Sequence, residues 1–273
     1  MQTIIVATDY SEEAQNALDY AACLARQSNS KIALYNSYRI SVHAANGLIS
    51  PETITKLVQE NREKLKQTAA RISKKYQIPV EYYTKYCTVE EGLNELAEQI
   101  RADMVIMGMR SNRLEYKLFG NTTISVIKNA YFPVLVVPEG ATYKNLEKIL
   151  FACDYHTISE NALEILKQLA LKFNAELQIL HIGTTSLATT DFALKKAVLD
   201  EIERALKGLN YSFCEMEEEE DVERGIIKGL REFGADMLLM AHHKKGFWSS
   251  IFNKSRTREM ALKVEIPLLA LEG

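Results

Sequence analysis

The sequence is poor in the features that mark disulfide frameworks, metal centres, membrane spans and nucleic-acid clamps. Only four of its 273 residues are cysteine, and they are dispersed, with no CxxC pair and no histidine nearby at zinc spacing. We interpret them as reduced, structural cysteines and expect neither a disulfide nor a metal site. The formal net charge is -3, and no apolar run approaches the roughly 18 residues of a membrane span. We therefore expect no nucleic acid and no membrane as partner.

Targeting and catalytic motifs are equally sparse. The opening stretch MQTIIVATDY lacks the basic leader and long apolar core of a secretion signal, because acidic residues follow at once at Asp9, Glu12 and Glu13. This pattern predicts a cytoplasmic protein. The sequence contains no G-x-S-x-G elbow, no P-loop and no HExxH motif, so we assign no catalytic residue and expect a binding function rather than an enzyme.

What the sequence does contain is an internal repeat. IIVATDYSEEAQNAL (4–18) returns as ILFACDYHTISENAL (149–163), and EGLNELAEQIRADMVIMG (91–108) returns as RGIIKGLREFGADMLLMA (224–241). A Pro-led apolar run closes each half, PVLVV in the first and PLLAL in the second. We predict two domains, 1–140 and 146–273, with Gly140 marking the boundary.

Short apolar, β-branched runs alternate with stretches of helical periodicity in each half, which is typical of an α/β fold with a doubly wound, open parallel sheet of five strands. Ser11 and Thr88 are predicted helix caps, and Pro51 favours a helix start. Helices are predicted at 12–27, 52–76, 89–101 and 121–130. Strands are predicted at 3–8, 31–37, 79–84, 103–108, 133–138, 148–153, 176–182, 210–215, 236–241 and 266–271.

Ligands of such sheets bind beyond the carboxyl ends of the strands, where the strand order reverses. Two segments lie there in the first half: TDYS with Asp9, after strand one, and GMRSNRLEYKLFGNTT (108–123), after strand four. The second segment leads into a helix whose first amides are suited to phosphate. Asp9 has a second interpretation, because an Asp just before a helix commonly caps it together with a residue such as Ser11.

The first half contains a strand that runs into TDYSEEAQNALDYA, an ADMVIMG strand, a glycine-flanked loop and a terminal PVLVVP. These features resemble the universal stress protein family, and the resemblance covers essentially the whole chain, once in each half. The resemblance implies a Rossmann-like, adenine-nucleotide-α-hydrolase-like fold whose members pair through the last strand. It therefore predicts that the two halves pack as an internal pseudo-dimer, and it leaves open whether two such chains form a homodimer. One subclass binds ATP through an aspartate after strand one and a G-x2-G-x9-G-[ST] loop, whereas the other lacks this loop and shows no nucleotide binding.

On this resemblance the first half carries a degraded nucleotide site. Ser111 replaces the second glycine of the loop, the spacer is one residue short, and Asn121 replaces the final Ser or Thr. We expect weak binding of ATP or AMP, with Mg²⁺ if the ligand is ATP, because a serine tolerates close phosphate approach poorly. The predicted nucleotide-binding residues are Ala7, Thr8, Asp9, Ser37, Gly108, Arg110, Ser111, Gly120, Asn121 and Thr122; Thr123 is a further hydroxyl beside them.

The second half resembles the subclass without nucleotide, since AHHKKGFWSSIFNKSRT (241–257) carries HH followed by FWS. We interpret its lysines as solvated surface and assign no metal to His242 and His243, whose side chains point to opposite sides of a strand end. Tyr82, Tyr83 and Tyr86 are predicted to pack. The predicted function is a stress-response or signalling binding module; the alternatives are a ligand-free adaptor for an unknown protein partner and, least supported, a slow ATP-hydrolysing enzyme.

Overall fold

The computed structural model describes residues 1–38, 50–109, 121–153, 158–183, 192–217, 222–242 and 266–272. Strands and helices alternate along the chain, as the apolar pattern predicts, and every predicted strand is present with ends shifted by at most two residues. The chain divides into two compact units, 1–108 and 109–273. The predicted domains, 1–140 and 146–273, follow the sequence repeat instead and stay a prediction.

The first unit is a parallel sheet with the strand order β3-β2-β1-β4. The apolar residues of β1, Ile4, Ile5 and Val6, are fully buried, as expected for a strand covered on both faces. The elements of this unit are β1 (Thr3–Ala7), α1 (Glu12–Ser28), β2 (Lys31–Ser37), α2 (Pro51–Tyr76), β3 (Val80–Lys85), α3 (Val89–Ile100) and β4 (Met104–Met109).

The helices of this unit begin within one residue of the predicted starts, because a side chain accepts hydrogen bonds from free amides of each first turn. Ser11 accepts a hydrogen bond from the amide of Ala14, and Thr88 forms a reciprocal capping box with Glu91. Pro51 occupies the first turn of α2, behind the cap Ser50. Each helix ends on a residue in the left-handed conformation.

The second unit has the strand order β5-β10-β9-β6-β7-β8, parallel except where β10 runs antiparallel to β5. That pairing, with Leu269 opposite Leu135, is the predicted contact between the last strands of the two halves. The elements are α4 (Asn121–Asn129), β5 (Val134–Pro138), β6 (Lys148–Cys153), α5 (Glu160–Phe173), β7 (Glu176–Gly183), α6 (Phe192–Ala205), β8 (Tyr211–Glu217), α7 (Val222–Phe233), β9 (Met237–His242) and β10 (Leu268–Glu272).

The repeated sequence ADM has a structural explanation in both units. The Oδ2 atom of Asp103 accepts hydrogen bonds from the amides of Gln2 and Thr3, at 2.7 and 2.8 Å. Asp236 does the same for the amides of Glu147 and Lys148, at 3.0 and 2.9 Å. In each half, therefore, this aspartate fixes the start of the central strand, β1 or β6, through two charge-assisted hydrogen bonds.

Three further observations bear on the sequence predictions. None of the four cysteines forms a disulfide. In the described part of the chain, no helix is long and apolar enough to cross a membrane. The packing prediction is wrong for Tyr86, which is 58% exposed because it follows the last residue of β3 and lies beyond the sheet. Its ring centre lies 6.0 Å from that of Tyr38, which follows β2.

Candidate functional site at the carboxyl end of β1

The carboxyl end of β1 is the point in the first unit where the strand order reverses. The chain leaves β1 through α1 toward β2 on one side, and it returns through α3 to β4 on the other side. Ligands of open parallel sheets bind in the crevice at such a point. Asp9, two residues after β1, is exposed there, and Ala7, Ser37 and Gly108 are half-buried at the same edge of the sheet.

Asp9 takes part in the helix start without being its cap. Its Oδ1 atom accepts a hydrogen bond from the amide of Ser11 at 3.0 Å, and Ser11 in turn caps α1 by accepting from the amide of Ala14 at 3.2 Å. Within the described residues, the second carboxylate oxygen of Asp9 accepts no hydrogen bond. The capping and the ligand interpretations of Asp9 are therefore compatible, since one oxygen orders the loop while the other is open to a ligand.

Thr8 has its polar atoms engaged within the protein. Its amide donates to the carbonyl of Tyr35 at 2.9 Å, its carbonyl accepts from Nδ2 of Asn36 at 2.6 Å, and its Oγ1 accepts from the amide of Tyr10 at 3.0 Å. Thr8 is 8% exposed. The geometry thus gives Thr8 a role in shaping the loop that carries Asp9.

Tyr10 adopts a backbone conformation that non-glycine residues rarely take. Its φ angle is +66°, which costs roughly 1–2 kcal/mol for a residue with a Cβ atom. Its hydroxyl donates to Oδ1 of Asn61 in α2 at 3.0 Å, and Nδ2 of Asn61 donates to Oδ1 of Asn36 in β2 at 2.8 Å. Hydrogen bonds therefore join the strained loop to both β2 and α2.

A lysine of α2 adds positive charge beside this loop. The Nζ atom of Lys64, an exposed residue, lies 3.9 Å from the centre of the Tyr10 ring, within the range of a cation–π contact. Burial raises the pKa of Tyr10 to about 12, so its phenol is neutral near pH 7 and remains a hydrogen-bond donor. The edge of the sheet thus combines the carboxylate of Asp9 with a cation from α2.

Gly108 is explained by packing. A Cβ atom on Gly108 would lie 2.4 Å from the carbonyl oxygen of Glu13 and 2.9 Å from the amide nitrogen of Ala14, both in the first turn of α1. Only glycine therefore allows the end of β4 to approach the start of α1 so closely. The presence of a glycine here consequently needs no phosphate to account for it.

No contact among the described residues brings the remaining predicted site residues together. Arg110, Ser111 and Gly120 lie outside the described residues. In the second unit, Asn121 is the first residue of α4, and Thr122 is exposed in its first turn. The next residue along the chain, Thr123, is 6% exposed, which makes its hydroxyl a poor candidate for ligand binding.

In each half, a side chain of the second strand contacts the carbonyl at the end of the first strand. We call this contact the bridge; Asn36 provides it in the first half and His181 in the second. Ala7 lies opposite Tyr35, and its counterpart Ala152 lies opposite Leu180, so His181 occupies the place of Asn36. The Nδ1 atom of His181 lies 3.2 Å from the carbonyl oxygen of Cys153, the counterpart of Thr8.

The described part of the chain offers no metal ligand set at either edge. His242 is the last residue of β9, whereas Asp154 and His243 lie outside the described residues. Within the described ranges, no group of three His, Cys, Asp or Glu side chains could hold a metal ion.

Sequence reasoning missed Asn36, Asn61 and Lys64. Asn36 had a usable signal, because it is the one polar residue among the buried positions of β2. Asn61 and Lys64 had none, since both belong to a helix rich in exposed polar residues.

Comparison with known proteins places both halves in one family. The model of the universal stress protein family matches residues 1–138 and 145–272. The chain is 27% identical over 138 residues to a universal stress protein from Methanocaldococcus jannaschii, a match that covers 49% of this chain and 80% of that protein. It is 38% identical over 58 residues to universal stress protein G from Shigella flexneri, covering 21% of this chain and 41% of that protein, so the chain spans less than half the length of this relative.

The crystal structure of a universal stress protein from Archaeoglobus fulgidus has the same fold over the whole chain. It aligns with a TM-score of 0.75 at 18% identity, covering 99% of this chain and 96% of that one. The chain therefore has the fold of this universal stress protein, an α/β fold with a mostly parallel sheet.

Proposed function

The chain belongs to the universal stress protein family, and we propose that it is a stress-response binding module whose first half binds ATP or AMP weakly beyond the carboxyl end of β1. One observation carries this proposal: Asp9 is exposed at the point where the strand order reverses, with one carboxylate oxygen open to a ligand. A carboxylate is acceptor-only, which suits the hydroxyl groups of a ribose.

The assignment of roles follows from this position. Asp9 binds the ribose, and Lys64 contributes positive charge near a ligand that is itself anionic. The phosphate contacts that the family resemblance implies, at Arg110, Ser111, Gly120, Asn121 and Thr122, stay a prediction. Binding is weak because Ser111 stands where the nucleotide-binding subclass has a glycine, and a Cβ atom hinders close approach of backbone amides to phosphate.

The repeat supplies a matched control for the test. Asp154 is the sequence counterpart of Asp9, in a half that lacks the glycine loop. Titration calorimetry of the full chain with ATP and magnesium, and with AMP, is expected to show saturable binding. Asp9→Ala should weaken it about tenfold, corresponding to the loss of roughly 1.4 kcal/mol from a hydrogen bond to a charged group, whereas Asp154→Ala should leave it unchanged.

Two outcomes would count against the nucleotide site. Absence of heat at millimolar ATP and AMP would remove it altogether. Equal weakening by Asp9→Ala and Asp154→Ala would show that neither aspartate marks a specific site. A Gly120→Val variant adds a separate test of the loop, since a bulky residue there should reduce affinity for ATP if the loop contacts phosphate.

A ligand-free adaptor is the second candidate, and one observation favours it. The polar atoms of Thr8 are engaged internally, and Gly108 is required by the start of α1, so two of the predicted nucleotide contacts have structural explanations. On this alternative the exposed edge of the first unit serves a protein partner. A pull-down in which capture of a partner is unaffected by Asp9→Ala and by added ATP would support the adaptor over the nucleotide sensor.

A further inference from the structure

We infer that Asn61 of α2 is a positioning residue for the proposed nucleotide site, because it closes a ring of hydrogen bonds around the strained residue Tyr10. The ring runs from the carbonyl of Thr8 to Asn36, on to Asn61, to the hydroxyl of Tyr10, and back through the amide of Tyr10 to the hydroxyl of Thr8. This inference rests on the proposed function, since it concerns how Asp9 is presented to a ligand.

Donor and acceptor chemistry fixes the ring, in which Tyr10 donates at both its amide and its hydroxyl and Thr8 accepts at both its hydroxyl and its carbonyl. The carbonyl of Thr8 can only accept, so Asn36 must turn its Nδ2 toward it at 2.6 Å. Oδ1 of Asn36 then faces Asn61, whose Nδ2 donates to it at 2.8 Å. The Oδ1 atom of Asn61 is left facing the Tyr10 hydroxyl at 3.0 Å, and this hydroxyl must donate. The carbonyl oxygen of Asn61, at 3.3 Å, is a second and more distant acceptor for the same hydroxyl, so the side chain of Asn61 supplies the shorter of the two contacts. Both amide groups are thus oriented by a single backbone carbonyl.

Closure of the ring is what holds Tyr10 in its unfavourable conformation. Tyr10 is fixed at its amide by Thr8 and at its hydroxyl by Asn61, while Lys64, one turn further along α2, covers its ring. A loop residue at φ +66° relaxes toward negative φ when it is released. Asp9 and Ser11 flank Tyr10 and are joined by a hydrogen bond, so relaxation of Tyr10 redirects the Asp9 carboxylate.

If the ring had only a structural role, loss of the Tyr10 hydroxyl would have the same effect as loss of another hydroxyl that holds α2 in place. Tyr76 provides this comparison. Tyr76 also lies on α2, and its hydroxyl donates to Asp19 at 2.5 Å, which ties α2 to α1. Removal of either tyrosine hydroxyl deletes one tether of α2, but only that of Tyr10 belongs to the loop that carries Asp9. If the ring merely attached α2 to the sheet, both deletions would act alike.

The experiment uses the full chain with the variants Asn61→Leu, Tyr10→Phe, the double variant and the control Tyr76→Phe. Calorimetry with AMP should show affinity reduced about three- to tenfold by Asn61→Leu and by Tyr10→Phe, the range expected for loss of a net hydrogen bond. The double variant should lose no more than either single one, because both act through the same ring. Tyr76→Phe should lower the urea midpoint while leaving the affinity for AMP unchanged.

A readout that needs no nucleotide accompanies the titrations. Exchange of the Ser11 amide proton, followed by NMR, should accelerate in Asn61→Leu and in Tyr10→Phe, because the hydrogen bond to Asp9 opens when the loop relaxes. Tyr76→Phe should leave that exchange rate unchanged.

The outcomes separate this inference from the function on which it rests. AMP binding that is equal in wild type and Asn61→Leu, additive losses in the double variant, or unaltered Ser11 exchange would each overturn the positioning role while the nucleotide site stands. Absence of AMP and ATP binding by the wild-type chain would overturn the proposed function and this inference with it.

Discussion

Gly108→Ala is the substitution that best separates packing from ligand binding at the edge of the first sheet. The added Cβ atom would lie 2.4 Å from the carbonyl oxygen and 2.6 Å from the carbonyl carbon of Glu13. These are backbone atoms of a helix start and cannot rotate away, so α1 must shift by roughly 1 Å to restore ordinary contact. Overpacking of this kind costs about 1–3 kcal/mol, and we expect the upper end because the obstacle is rigid.

Urea denaturation of the full chain measures this loss, and two other residues provide controls. At Gly140, whose φ is +81°, an added Cβ atom meets nothing within 4 Å, so Gly140→Ala should cost only the strain of the left-handed conformation, about 1 kcal/mol. Ala241 holds the place of Gly108 in the second half and shows that a Cβ atom is compatible with the fold where the helix start differs. Calorimetry with AMP on the same preparations separates stability from affinity.

Gly108→Ala should affect stability first and affinity only through the displacement of α1. Gly108→Ala should lower stability by more than Gly140→Ala, and any loss of affinity should accompany a displaced α1. A fully stable Gly108→Ala protein that no longer binds nucleotide would refute the reasoning, because it would show that the glycine is needed for close approach of phosphate rather than of the Glu13 carbonyl.

The remaining predictions concern stability. Asp103→Ala and Asp236→Ala each remove two charge-assisted hydrogen bonds at a strand start, so each should cost about 2–3 kcal/mol in urea melts, and losses below about 0.5 kcal/mol would contradict this role. Gly92→Ala places a Cβ atom 1.7 Å from the hydroxyl of Tyr35 and should destabilise strongly, with partial rescue by Tyr35→Phe; no rescue would locate the clash elsewhere. For Asp19, burial opposes ionisation, but hydrogen bonds donated by three neighbouring side chains outweigh it and lower its pKa from 3.8. Its stabilising effect relative to Asp19→Asn should therefore be complete near pH 7 and be lost as the pH falls below 3.8, whereas a pH-independent difference would exclude this ionisation as the cause.

The elements of the fold could be predicted from the sequence because their signals are local. The predicted bounds of β2, 31–37, coincide with those of the structure, since a strand buried on both faces has an apolar core, here residues 32–35. Ser11 and Thr88 are helix caps as predicted, because the chemistry of a cap lies within four residues. Tyr86 was mispredicted because an aromatic residue just beyond a strand has the same local pattern as one within it.

The candidate site could be predicted only in part, because its geometry depends on residues far apart in the sequence. Asp9 was identified by its place after a strand, which is a local feature. The hydrogen bonds between Asn36 and Asn61, and between Asn61 and Tyr10, join β2, α2 and the loop after β1. The hydrophobic periodicity of the sequence does not predict such contacts. Gly108 shows the converse, since a residue that matches a functional motif can be required by the packing of a neighbouring helix.

The two halves together show which features of the sheet edge serve the fold and which are specific to one half. Both halves bridge the carbonyl at the end of the first strand with a side chain from the second, Asn36 in one and His181 in the other. A bridge that persists while its chemistry changes is a requirement of the strand pair, not of a ligand. In the first half, the Asn36 bridge continues through Asn61 to Tyr10, beside the exposed carboxylate of Asp9. Any function particular to the first half should therefore be sought in that extension, and substitutions there should alter binding more than they alter the fold.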